Sequence, residues 1–233
     1  MINALLISAS REGDTGYLTH ALPMISQCIE DITDILFIPY AGVTISYDDY
    51  AKKVADALSP LNIKLTSIHT LTDKKNAIKN AKAVLVGGGN TFHLLHELYQ
   101  EGLINPFQEA VQNGCKYIGW SAGSNIAGLS IKTTNDMPII EPKSFDALQL
   151  MPFQINPHYT DYQAPGHNGE TREMRLEEFM QVNQTPIIGI QEGSALLRKN
   201  DKLQLLGTKE AYLFRNGSKE VIAANSDLSS LLN

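Results

Sequence analysis

The chain has 233 residues, with 19 Lys and Arg against 25 Asp and Glu for a formal charge of −6, and 43% of its residues are hydrophobic. That length suits a single α/β domain, here expected to span residues 1–233, with a core large enough to fold without covalent staples. An acidic balance without a basic cluster argues against a nucleic-acid partner, and no apolar stretch approaches the roughly 20 residues of a membrane helix. Cys28 and Cys115 are far apart and in no metal or redox spacing, so neither a disulfide framework nor a cysteine zinc site is expected. The start, Met1 to Ser8, has no basic region and soon meets Ser10, Arg11 and Glu12, unlike a signal peptide. A cytoplasmic protein is expected, and the sequons at Asn183 and Asn216 then carry no information.

In chain order, apolar runs of strand length fall at Ala4 to Ser8, Ile35 to Pro39, Ile63 to Ile68, Ala83 to Val86, Tyr117 to Trp120 and Ile187 to Gln191. Helical stripes lie between them, over Tyr17 to Ile29, Tyr50 to Leu58 and Thr91 to Leu98. Several of the strands are apolar throughout, as expected when helices cover both faces of a parallel sheet. The segment Lys132 to His167 has weak periodicity, and long irregular stretches in compact domains tend to be functional. A further helix is predicted from the region of Arg172 to about Gln181. Beyond Gln191, the alternating runs Ala195 to Arg198 and Leu203 to Leu206 predict one hairpin, and Ala211 to Phe214 with Glu220 to Ala223 a second around Asn216-Gly217. The predicted fold is α/β: a doubly wound, mostly parallel sheet with helices on both faces and extra antiparallel hairpins near the C-terminus.

Gly119-Trp120-Ser121-Ala122-Gly123 follows a predicted strand and opens a small-residue stretch, the strand-turn-helix setting of a nucleophile elbow. Val86-Gly87-Gly88-Gly89-Asn90 ends another strand ahead of a helix. It reads either as a source of oxyanion-stabilising amides or as a phosphate site at a helix N-terminus. A serine needs a base, and there are six histidines. His20, His93 and His96 lie in helical runs; His93, His96 and Glu97 share a face but lack a further metal ligand, so no metal is expected. His158, where Ile155-Asn156-Pro157 leaves a strand-like run, is placed as loop-borne bases are. For the acid behind it, Glu192 at a strand's carboxyl end is favoured, with Asp136 the second candidate. Arg172 falls in the first turn of its helix, where the macrodipole disfavours a cation and no helical neighbour pairs with it. A guanidinium there is suited to receiving a substrate carboxylate.

Taken together, Val86 to Phe92, Ile118 to Gly123, Thr133 to Pro138, Gln154 to His158, Gly169-Glu170-Thr171-Arg172 and Gln191-Glu192-Gly193 resemble the peptidase E family. Its members are aspartyl dipeptidases of the serine type, with a fold similar to class I glutamine amidotransferases. The resemblance implies Ser121 as nucleophile, His158 as general base and Glu192 as its orienting acid, with the amides of Gly89 and Ala122 as oxyanion hole. It places on Arg172 the role of holding the side-chain carboxylate of an N-terminal aspartate, and it implies Asp-X dipeptides as substrate with no cofactor. The order Ser, His, Glu differs from the Ser, Asp/Glu, His order of α/β-hydrolases. Cyanophycinase-like relatives that cleave β-aspartyl linkages are the nearest alternative, and Gly169 to Arg172 favours the dipeptidase. A non-catalytic nucleotide or phosphate sensor built on Gly87 to Gly89 is the rival from another class. An amidotransferase is disfavoured because the elbow carries Ser121 and Cys115 lies upstream of it.

Overall fold

A computed structural model describes residues 1–166 and 168–233; His167, one of the six histidines weighed above, lies outside the described residues. The first half of the chain forms β1 (Asn3–Ile7), α1 (Leu22–Ile29), β2 (Asp34–Ile38), α2 (Tyr47–Ala57), β3 (Lys64–Ser67), α3 (Lys74–Asn80) and β4 (Ala83–Val86). Then come α4 (Thr91–Gln100), α5 (Ile104–Gln112), β5 (Lys116–Trp120), the short α6 (Ala122–Asn125), β6 (Gln154–Asn156) and α7 (Arg172–Val182). The chain finishes with β7 (Ile187–Ile190), β8 (Ala195–Lys199), β9 (Lys202–Leu206), β10 (Ala211–Arg215) and β11 (Ser218–Ile222). Among these residues no helix is long and apolar enough to cross a membrane.

The larger sheet has the order β3-β2-β4-β5-β1-β8-β9, with β1 to β5 parallel and the β8–β9 hairpin added antiparallel along β1. Alternate residues of its strands enter two separate cores. Leu5, Ile7, Phe37, Leu85 and Ile118 pack with α1 and α2 on one face. Leu6, Ile38, Val86 and Tyr117 pack on the other with α3, α4 and α5. Each fully buried aliphatic or aromatic side chain contributes about 1.5–3 kcal/mol, so a strand buried on both faces must be apolar at every position.

Ile187–Ile190 does not join this sheet, contrary to what its uniform apolarity predicts. It is β7 of a second sheet, β11-β10-β7-β6, parallel to β6 and antiparallel to β10. Both of its faces are nonetheless covered, because Ile188 and Ile190 enter the core shared with the larger sheet while Ile187 packs with Tyr159, Leu176, Tyr212 and Phe214. The turn joining β10 to β11 has φ of 52° at Asn216 and 73° at Gly217, the left-handed pair expected from Asn-Gly. The first predicted helix is shorter than its stripe. Leu18 has φ 59°, residues Thr19–Ala21 form a 3-10 turn, and Pro23 sits at the true helix start. Helices α3 and α5 are absent from the sequence reading; α3 buries a single residue, Ile78, and so advertises no stripe, whereas α5 buries Phe107, Ala110 and Val111 on one face but carries a proline in its first turn. From Ile126 to Phe153 the chain winds without regular structure yet buries Ile131, Leu148, Leu150 and Met151, as the weak periodicity of that region foreshadows.

Candidate active site

Between β5 and α6, Ser121 adopts φ 53° and ψ −114°. Such backbone costs of order 1–3 kcal/mol for a residue other than glycine and persists only where its surroundings impose it. The Ser121 N–H donates to the Ile7 carbonyl at 3.1 Å, and Ser124 Oγ lies 2.7 Å from that same oxygen and 2.9 Å from the Gly119 carbonyl oxygen. The flanking glycines are steric requirements: a Cβ on Gly119 would run into the Gly123 carbonyl, and one on Gly123 into the Val86 carbonyl.

His158 Nε2 lies 2.8 Å from Ser121 Oγ, and His158 Nδ1 lies 2.7 Å from Glu192 Oε1. Two parallel neighbours deliver these partners, His158 just beyond β6 and Glu192 just beyond β7. His158 is also left-handed, with φ 56°. Its N–H donates to the buried Ser8 Oγ at 2.9 Å, and Ser8 donates in turn to the Ile190 carbonyl at 2.8 Å. The His158 and Glu192 side chains keep 34% and 51% of their surface exposed, so a substrate reaches the serine from solvent without local opening.

Asp136, the second candidate for the acid, is not on His158. Its Oδ2 accepts from the Thr91 N–H at 2.7 Å and from the Thr91 hydroxyl at 2.5 Å, at the start of α4. That N-terminus, read from sequence as a possible phosphate site, is thus served by the protein's own side chains, since the His93 N–H donates to Asn90. Within the Gly87 to Asn90 turn, Gly89 has φ 140°. The amides of Gly89 and Ala122 donate to no backbone carbonyl among the described residues. Tyr50 Oη donates to the Gly88 carbonyl at 2.8 Å; it lies 3.2 Å from Tyr17 Oη, which accepts from Trp120 Nε1 at 3.0 Å.

Arg172 opens α7 behind a Thr171 cap whose Oγ1 accepts from the Met174 N–H at 3.1 Å. The buried Nη1 of Arg172 has no hydrogen-bond partner among the described residues. Burial lowers the pKa of this guanidinium, with Arg175 adding to the effect while Glu192 and Asp136 oppose it. A cavity of about 200 Å³ brings together Thr91, Ser121, Ala122, Asp136, His158 and Arg172. A second, of about 540 Å³, shares Ser121 and His158 and is walled by Tyr17, Ile45, Trp120 and Ile139. A cavity of about 600 Å³ at the amino ends of the strands, beside Glu30, Asp31 and Lys116, holds no nucleophile and base. The chemistry therefore gathers at the carboxyl ends, as in other open α/β sheets.

The remaining described histidines are occupied elsewhere or isolated. His93 Nδ1 lies 2.7 Å from the Tyr40 carbonyl oxygen, His96 Nδ1 3.1 Å from that of Glu141, and His69 sits between Ser67 and Asp48. His20 has both ring nitrogens buried without a partner among the described residues, and burial lowers its pKa. Sequence reasoning overlooked Ser8 and Tyr50. Ser8 had one signal, its place at the carboxyl end of an apolar strand, whereas Tyr50 reads simply as a stripe residue of α2.

Three comparisons bear on the chain. Residues 4–206 match the model of peptidase family S51. Proteins called peptidase E from Shewanella amazonensis and from Shewanella sp. strain ANA-3 are 61% and 58% identical to it, each over 99% of this chain and 99% of their own length. The crystal structure of a peptidase from an acI-B1 Actinobacterium superposes with a TM-score of 0.74 at 16% identity, covering 98% of this chain and 96% of the other. That last likeness concerns the fold alone.

Proposed function

Because the chain belongs to peptidase family S51 and is a serine peptidase, we propose that it hydrolyses dipeptides with an N-terminal aspartate, residues 1–233 acting as one catalytic unit. The observation that carries this reading is the continuous contact from Glu192 through His158 to Ser121, beside a cavity lined by an arginine whose buried Nη1 has no partner among the described residues. In the proposed reaction the aspartyl residue occupies the cavity of about 200 Å³, its side-chain carboxylate on Arg172, and the leaving residue occupies the cavity of about 540 Å³. Ser121 Oγ attacks the scissile carbonyl while His158 Nε2 takes its proton. Glu192 accepts the Nδ1–H bond and stabilises the imidazolium that forms. The developing oxyanion takes the N–H groups of Gly89 and Ala122; one such donor is typically worth 10²–10³-fold in rate. His158 then returns the proton to the departing amine, and water opens the acyl-enzyme by the reverse path. No step requires a cofactor.

A panel of Asp-Leu, Asn-Leu and the isoaspartyl compound β-Asp-Leu tests the reading. Asp-Leu is expected to be cleaved at least about 100-fold better in kcat/KM than either of the others, since Asn-Leu lacks, and β-Asp-Leu displaces, the negative charge that Arg172 would meet. Ser121→Ala should fold normally and lose nearly all turnover. Arg172→Ala should lower kcat/KM by on the order of 2–5 kcal/mol. Equal cleavage of Asp-Leu and Asn-Leu by the intact protein would refute carboxylate recognition, and near-normal kcat in Ser121→Ala would refute the nucleophile.

A further inference from the structure

We infer that Asp136 is the receptor for the free α-ammonium of the substrate, and so the residue that confines the enzyme to chain N-termini. The inference rests on the aspartyl-dipeptide reading and adds to it the half of the substrate that Arg172 leaves unrecognised. An N-terminal aspartate carries two charges close to its scissile carbonyl, a carboxylate on the side chain and an ammonium on Cα. The cavity beside Ser121 is lined by one cation and one anion, Arg172 and Asp136.

The two do not neutralise one another. Neither takes part in an ion pair among the described residues, although Asp136 is close enough to act on the charge of Arg172. Asp136 is held instead by Thr91, whose N–H and hydroxyl both donate to Asp136 Oδ2. Thr91 is itself buried at the first position of α4, and Thr134 Oγ1 donates to its hydroxyl oxygen at 3.0 Å, so the carboxylate is anchored from behind. Oδ1 makes none of these bonds. A carboxylate that lines the cavity and is held by one oxygen can accept from an ammonium with the other, and such a charge-assisted bond is roughly twice as strong as a neutral one. About 200 Å³ admits one aspartyl residue. A peptide nitrogen, being uncharged, would forfeit the charge-assisted contact with Asp136. Position 136 thus has a use that does not involve His158.

Succinyl-leucine, which is Asp-Leu without its α-amino group, isolates the contact. With the intact enzyme its kcat/KM should fall roughly 10- to 100-fold below that of Asp-Leu, the range expected for a hydrogen bond to a charged group. Asp136→Asn keeps an oxygen for the Thr91 N–H. It should lower kcat/KM for Asp-Leu by a similar factor while leaving succinyl-leucine within about threefold of the intact enzyme. Turnover of succinyl-leucine reports that the variant is folded and its triad assembled; Asp136→Glu, retaining the charge, should recover part of the preference. Equal losses on both substrates, or no loss on Asp-Leu, would overturn the assignment while leaving the dipeptidase reading intact. An intact protein that cleaves neither compound would overturn both.

Discussion

Tyr50 is tied to the proposed oxyanion hole through a single peptide plane. Across a trans peptide the carbonyl of one residue and the N–H of the next point in opposite directions. By holding the Gly88 carbonyl, the phenol therefore aims the Gly89 N–H away from α2. Burial pushes the Tyr50 pKa well above its usual value, so the hydroxyl stays a donor throughout the working pH range. The bonds from Trp120 to Tyr17 and between the two tyrosines connect that plane to the residue preceding Ser121. Tyr50→Phe is expected to keep the ring's edge contact with Phe37 and lose the bond. Steady-state kinetics on Asp-Leu should then show kcat down roughly 10-fold with KM within about twofold, as for an interaction felt mainly in the transition state. A change confined to KM would count against the orientation argument.

At the scale of elements, α7 needs external support, for it buries one residue, Leu176, and has little amphipathic character. Lys219 of β11 supplies part of it. Its ammonium lies 2.7 Å from Asp161 Oδ1 and 3.0 Å from Glu173 Oε2, and 4.7 Å from the centre of the Tyr212 ring. One side chain thus ties the segment after His158 to the first turn of α7, next to Arg172. Lys219→Met should raise KM for Asp-Leu about three- to tenfold, with kcat changed less, because Arg172 loses its fixed platform while Ser121 and His158 stay in place. Much of this organisation was legible in the residues. Strand positions and the Asn216-Gly217 hairpin follow from periodicity and turn chemistry, and the Gly-x-Ser-x-Gly elbow from steric need. What could not be read was which sheet β7 joins, because an apolar run reports covered faces and not the partner that covers them. The strand-end position favours Glu192 over Asp136, and the β6–β7 pairing is what brings Glu192 beside His158. Ser8, Tyr50 and Lys219 act across long stretches of chain and leave no local pattern.

For the whole molecule, the decisive arrangement is that Ser121 ends a strand of one sheet while His158 and Glu192 end strands of the other. The contact between them depends on how the two sheets meet. Ser8 lies at that seam, in contact with both the His158 N–H and the Ile190 carbonyl. Ser8→Ala would leave the partly buried His158 N–H without its acceptor, whereas the Ile190 carbonyl keeps the Tyr159 N–H at 3.0 Å. The expected loss is about 1–3 kcal/mol of stability, read as a lower urea midpoint, together with a fall in kcat of about 10-fold. A variant with an unchanged midpoint and unchanged turnover would show that packing alone sets the seam.

Dividing the triad in this way also bears on how the protein matures. A chain whose two sheets had not met would hold the Ser121 hydroxyl apart from the His158 imidazole. If Ser121 and His158 are nucleophile and base, peptide cleavage is expected only once the two sheets have met, so recovery of turnover during refolding would report that junction, while circular dichroism would report the sheets themselves.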